Sequence, residues 1–310
     1  MTPPILGIVG PTGVGKTEVT AAVARRVQAE IIVIDSMQVY RGMDLGTGKP
    51  GPSLREEIPH HGLDLVDPEE EFNVARYLKQ VAPIPGEVQK RGRLPLLVGG
   101  TGLYLKTLLD GLCPAPGKDP LIRGRLWEES QRAGPEALHA RLESVDPVAA
   151  GRIHRNDLRR VLRALEVFLV TGRPLTAWHQ QTQKPIRVEE SLLLFGLTGS
   201  REWLYRRIEE RIDGWISAGW LEEARSLHRK SLSLTASQAL GYRELFAYLD
   251  GRIDWETAVE LIKRDTRRYA KRQWSWFRHE PRVRWISVEG KNPEDVAGEI
   301  LAVHGIGCSN

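Results

Sequence analysis

The 310-residue chain has only two cysteines, Cys113 and Cys308. Neither lies in a CxxC or Cys/His ligand spacing, so a zinc site and a disulfide framework are both excluded as readings. No stretch approaches the roughly 20 apolar residues that a spanning helix needs. The first apolar run, "ILGIVG", has only strand length and no basic segment before it, so no secretory leader is expected. These absences predict a soluble protein of the reducing cytoplasm, with no membrane partner; the sequence does not give the oligomeric state, and a monomer is the default expectation. One sign of charge barely prevails: 44 Lys and Arg against 40 Asp and Glu leave a net +4. Any polyanion-binding surface must therefore come from local clustering of cations. No internal repeat or low-complexity tract is present, so the expectation is an ordinary globular core.

Apolar runs at 5–9, 31–34, 94–98 and 191–198 read as strands, and "VRWISV" at 283–288 as a last short one. Helical patterns follow the first at Thr17–Val27 and the third from about Tyr104. Strands alternating with helices predict a doubly wound parallel α/β sheet. "CPAPGKDP" at 113–120 reads as a linker, and the polar stretch at 179–190 as its return. The stretch between them has helical periodicity and no good strand. It predicts an inserted all-helical subdomain at 118–187, dividing a P-loop NTPase-like core into residues 1–117 and 188–310. The second part of the core reads as mostly helical.

"GPTGVGKT" matches GxxxxGK[ST] at every fixed position, between a strand and a helix. It comprises Gly10, Pro11, Thr12, Gly13, Val14, Gly15, Lys16 and Thr17. Its glycines let backbone N–H groups converge on phosphate oxygens, and the helix N-terminus adds partial positive charge. Lys16 supplies a point charge, and the Thr17 hydroxyl suits a Mg²⁺ ion. The motif indicates a diphosphate or polyphosphate, without choosing among them. A nucleotide hydrolase should also show a strand ending in a metal-holding Asp. The third strand ends instead in "LLVGGTG", whereas the second ends in Asp35. At a strand's carboxyl end, where such sheets place ligands, Asp35 is a candidate general base. Its alternative is a turn-forming Asp.

Two stretches concentrate positive charge. Read as one helix, "GRIHRNDLRRVLRALEVFLV" at 151–170 puts Arg152, Arg155, Arg159 and Arg163 on one stripe. Leu158, Val161, Leu162, Leu165 and Leu169 form an apolar stripe beside it. One dry face and one Arg face suit an RNA backbone. "KRDTRRYAKRQWSWFR" at 263–278 interleaves seven cations with Tyr269, Trp274, Trp276 and Phe277, a composition that suits unpaired bases. The aromatics are expected mostly in the core. His60 and His61 lack a third ligand at useful spacing and read as a loop pair rather than a metal site.

Six stretches, in order, carry a resemblance: "GPTGVGKT", "DSMQVYRGMDLGTGKP", "IPHHGLDLVDP", "GGTGLYL", "RVLRALEV" with "TGRPL", and "QALGYREL". Together the chain closely resembles the bacterial tRNA dimethylallyltransferases over nearly its whole length. The resemblance implies transfer of a five-carbon prenyl group from dimethylallyl diphosphate to N6 of the adenosine 3′-adjacent to the anticodon, in tRNAs reading codons that start with U. It implies that Asp35, Ser36, Met37 and Gln38 meet the target base, and that Arg211 reaches the diphosphate with Lys16 and Thr17. It further implies tRNA contacts at Thr101, Arg123, Arg159, Arg160, Val161, Leu162 and Arg163. Thr101 also reads as an N-cap of the next helix, and Arg211 as part of a solvated helix face. The family's Met and Gly-Leu are replaced here by Trp215 and Trp220, and the Cys/His finger of eukaryotic relatives is missing from this sequence, as in the bacterial form. Three other functions fit parts of the pattern: prenylation of free AMP or ADP, a P-loop kinase of small metabolites, and a non-catalytic RNA-binding ATPase.

Overall fold

The computed structural model describes residues 4–182, 185 and 192–303. Cys308 and much of the 179–190 return lie outside the described residues. The chain divides into a larger unit, Met1–Leu109 with Ile186–Asn310, and a smaller one, Asp110–Pro185.

The larger unit is built on a six-stranded sheet. Its strands are β1 (Ile5–Val9), β2 (Ala29–Ile34), β3 (His60–His61), β4 (Leu94–Gly99), β5 (Leu192–Thr198) and β6 (Val283–Ser287), in the order β3-β2-β4-β1-β5-β6. Every pairing is parallel. β1, β2 and β4 are buried at every position, as expected of parallel strands covered on both faces. β6, at the edge, is mostly exposed, and of its five residues Ile286 is the buried one. The histidine pair is a two-residue strand rather than a loop. His61 Nε2 lies 2.7 Å from Glu30 Oε2 and His60 Nδ1 lies 2.6 Å from the Ile58 carbonyl oxygen. Both rings are thus used locally.

Among the described residues the smaller unit is all helical. Pro120–Val145 is broken at Gly134 (φ 82°), just before Pro135. Pro147–Ala150, Leu158–Thr171 and Leu175–His179 follow. Leu126, Leu138, Leu142, Val161 and Leu165 form its separate core. The basic stretch at 151–170 is not one helix. Asp157 caps the N-terminus at Leu158, its carboxylate accepting from the Arg160 amide at 3.2 Å. Arg152 and Arg155 therefore precede the helix and share no stripe with Arg159 and Arg163. Leu169 is exposed rather than packed.

Candidate active site

β1 runs into the phosphate loop. Gly10, Gly13 and Gly15 have φ values of 147°, 85° and 97°, which L side chains rarely adopt. A Cβ at Gly10 would lie 2.8 Å from the Leu197 carbonyl oxygen, and one at Gly13 2.7 Å from Ile208 Cγ1. The helix Lys16–Val27 opens from Gly15 with no side-chain cap. Its first N–H groups and dipole are thus available to an anion. Lys16 Nζ donates to the carbonyl oxygens of Gly10 (3.0 Å) and Pro11 (2.8 Å). Burial, and secondarily Arg211, pulls the ammonium down to about 8, against Asp35 and Glu18.

The helix Arg201–Ser217 brings two guanidinium groups to this loop. Arg211 donates to Thr12 Oγ1 at 2.5 Å and lies 4.4 Å above the Trp215 ring. Burial pulls it down to about 10. Arg207 Nε donates to the Gly13 carbonyl oxygen at 3.0 Å. Sequence reasoning missed Arg207, although its i, i+4 spacing from Arg211 puts the two on one face.

Asp35 follows β2. Its Oδ1 accepts from the amides of Met37 (2.8 Å) and Gln38 (3.3 Å). Burial pushes the carboxyl group up; those two donors and Lys16 act against it. The turn geometry and the candidate role coexist, because Oδ2 takes no part in the turn. Ser36 N donates to Thr101 Oγ1 at 3.1 Å, so the Thr101 hydroxyl ties this turn to the one after β4. Gln38 Nε2 donates to the carbonyl oxygens of Thr47 (2.9 Å) and Gly48 (3.2 Å), holding the 44–50 loop.

Thr12, Lys16, Thr17, Asp35, Ser36, Met37, Gln38 and Arg211 line one cavity of about 1060 Å³. Trp215, Trp220, Gln238, Arg243, Tyr269 and Gln273 complete much of its wall. The two tryptophans meet edge to face, with centroids 5.5 Å apart. Trp220 packs so closely on Gly46 and Gly241 that a Cβ there would lie 2.2 and 2.3 Å from its ring. The large indole fits because those positions are glycine. Glu223 ties this wall to the 44–50 loop, accepting from Tyr242 Oη (2.5 Å) and the Leu45 amide (2.9 Å). Arg243 is turned to Glu244 and Asp265. Glu223 and Gln273 were also missed; their partners lie far away in the chain, and no local pattern marks them.

The other expected RNA residues belong to the smaller unit. Arg159 and Arg160 are exposed, whereas Val161 and Leu162 are core side chains with exposures of 0% and 6%. Their side chains cannot meet RNA without unpacking. Arg123 and Arg163 both donate to Glu166 Oε2 at 2.9 Å. Glu166 is fully buried, an acid that the division of this segment into an Arg stripe and an apolar stripe leaves out. Burial pushes its carboxyl group up, but bonds from Arg163, the Asp119 amide and Arg123 outweigh this and hold it low. Arg163 also donates to the carbonyl oxygens of Pro116 and Gly117.

Among the described residues no three His, Cys, Asp or Glu side chains cluster as metal ligands. A cage made by the protein alone is therefore absent there. The exposed Thr17 hydroxyl, beside a nest for phosphate oxygens, fits a Mg²⁺ ion whose other ligands come from substrate and water.

Comparison with known proteins places this geometry in a family. The family model described as IPP transferase matches residues 38–280, and one described as isopentenyl transferase matches residues 4–58. The tRNA dimethylallyltransferase of Symbiobacterium thermophilum is 49% identical over 298 residues, covering 96% of this chain and 93% of the relative. The crystal structure of a full-length tRNA isopentenylpyrophosphate transferase from Bacillus halodurans superposes with a TM-score of 0.71 at 38% identity, covering 98% and 96% of the two chains. A eukaryotic dimethylallyltransferase, crystallised acting on tRNA, superposes with a TM-score of 0.79 at 26% identity, covering 97% of this chain and 80% of its own. By sequence and by fold, the chain belongs to the IPP transferase family.

Proposed function

We propose that this protein transfers the dimethylallyl group of dimethylallyl diphosphate to N6 of the adenosine 3′-adjacent to the anticodon, in tRNAs reading codons that start with U. The observation that carries this reading is a single cavity lined by an anion nest, two half-buried cations and a half-buried carboxylate. The named activity of the bacterial relatives supports it.

In the transfer, the allylic C–O bond breaks and its electron pair leaves with diphosphate. Lys16, Arg211 and the loop amides stabilise the charge that develops there. N6 of the adenine forms the new N–C bond and gives up a proton to Asp35. Ser36, Met37 and Gln38 sit where the purine edge would be met. The Thr17 hydroxyl would hold a Mg²⁺ ion, which would further neutralise the charge on the leaving group. The target adenosine must leave its stack, at a cost of a few kcal/mol. Exposed Arg159 and Arg160 contribute RNA-backbone attraction that offsets part of this cost. A cytoplasmic location accords with a tRNA substrate.

The test is mass analysis of nucleosides from tRNA incubated with the protein and dimethylallyl diphosphate. One dimethylallyl unit on N6 of that adenosine is expected. Unmodified tRNA alongside phosphate transfer from ATP would overturn the reading in favour of a kinase.

A further inference from the structure

We propose that Gln273 is a positioning residue that fixes the distance between the donor nest and the acceptor carboxylate. The proposal rests on the prenyl-transfer reading above and names a residue to which that reading gives no role. Gln273 belongs to the helix Trp255–Arg278 and is buried, with 6% exposure, although polar. Its Oε1 accepts from the Thr12 amide at 2.8 Å, inside the phosphate loop. Its Nε2 donates to the Gly100 carbonyl oxygen at 2.9 Å, in the turn after β4. The next residue of that turn, Thr101, accepts from the Ser36 amide, immediately after Asp35. A short hydrogen-bonded series thus runs from the nest, through one carboxamide, to the turn that presents the base. β4 lies between β1 and β2 in the sheet, so the carboxamide braces the end of β1, which bears the donor nest, to the end of β4, and Thr101 carries the brace on to the end of β2 and Asp35.

The chemistry of the two anchors is demanding. A backbone N–H can only donate and a carbonyl can only accept, so the bracing group must accept at one end and donate at the other. A carboxamide does both; an ionised Glu cannot donate, and Met cannot donate and accepts only weakly. The turn is shaped around it: a Cβ at Gly100 would lie 2.1 Å from Gln273 Nε2. Since Gly100 has no left-handed backbone, an alanine there would displace the carboxamide while leaving Gln273 in place. Tyr269, one turn earlier on the same helix, faces the same cavity. Bracing between reacting groups matters to rate more than to binding, because a displacement of about 1 Å can cost about a hundredfold.

The experiment measures kcat, KM and substrate dissociation constants of the full chain with dimethylallyl diphosphate and tRNA, for wild type, Gln273→Met, Gly100→Ala and the double variant. The expected result is a fall in kcat of about a hundredfold for each single variant, with both dissociation constants within about threefold of wild type. The double variant should be no slower than the slower single one, since both break the same brace. Should Gln273→Met not fold, Gly100→Ala tests the same contact with the glutamine present. An unchanged kcat, a loss confined to KM, or multiplying losses in the double variant would overturn the proposal. A wild-type protein that transfers no prenyl group would overturn the function instead.

Discussion

The two units of this chain use arginine in opposite ways. In the cavity, Arg211 is hydrogen-bonded to a hydroxyl and Lys16 to two carbonyl groups. Burial weakens the charged form of both. In the smaller unit, Arg123 and Arg163 share the buried carboxylate of Glu166. The first pair is held by neutral groups that an incoming diphosphate can replace. The second shares one internal carboxylate, which offsets one of its two charges and ties both side chains into the unit itself. The resemblance assigns all four to a polyanionic substrate; the difference lies in what surrounds each one.

The comparison is sharpened most by removing the central cation. Lys16→Met should lower kcat/KM for prenyl transfer about a thousandfold, since a preorganised charge on the leaving group is lost; steady-state kinetics with tRNA would show it. The opposite kind of cation gives a stability effect. Glu166→Gln leaves two guanidinium groups without a counter-ion. It should lower the unfolding free energy by about 2 kcal/mol, discounted because both arginines are about one-third exposed. Denaturant unfolding measures that, and an unchanged midpoint would break the contrast.

A pH dependence follows from Lys16. Free, its ammonium sits at about 8; a bound diphosphate favours the proton and raises that value. Diphosphate affinity should therefore hold below about pH 8 and fall above it, by up to about tenfold per pH unit. Calorimetry across that range, with Lys16→Arg as the always-charged reference, checks the sign. The smallest effect belongs to the exposed arginines. Arg159→Ala and Arg160→Ala should each weaken tRNA binding a fewfold and reduce its salt slope by about one. Binding curves at several salt concentrations read both.

The phosphate loop, the strand ends and the alternating α/β order were legible because each is written locally: a glycine spacing, an apolar run, a terminal Asp. Gln273 and Glu223 were not, because their partners at Thr12 and Leu45 lie 261 and 178 residues away. The basic stretch was misread as one helix because "ND" before the apolar run was passed over, although Asp before a first apolar residue is an N-cap signal. Glu166 sat in plain view in that same stretch, but only burial reveals that it claims two of the expected RNA-binding arginines. Trp215 and Trp220 stood out as departures from the family, and the glycines that admit them became visible only in the fold.

The most direct test of the central claim is a single-turnover measurement on Asp35→Asn, with tRNA and donor both bound and the modified nucleoside quantified by mass. A neutral amide at that position should keep the turn and both substrates yet slow transfer about a hundredfold or more. Formation of the prenylated adenosine at the wild-type rate would contradict the assignment of Asp35 as the base facing the diphosphate nest.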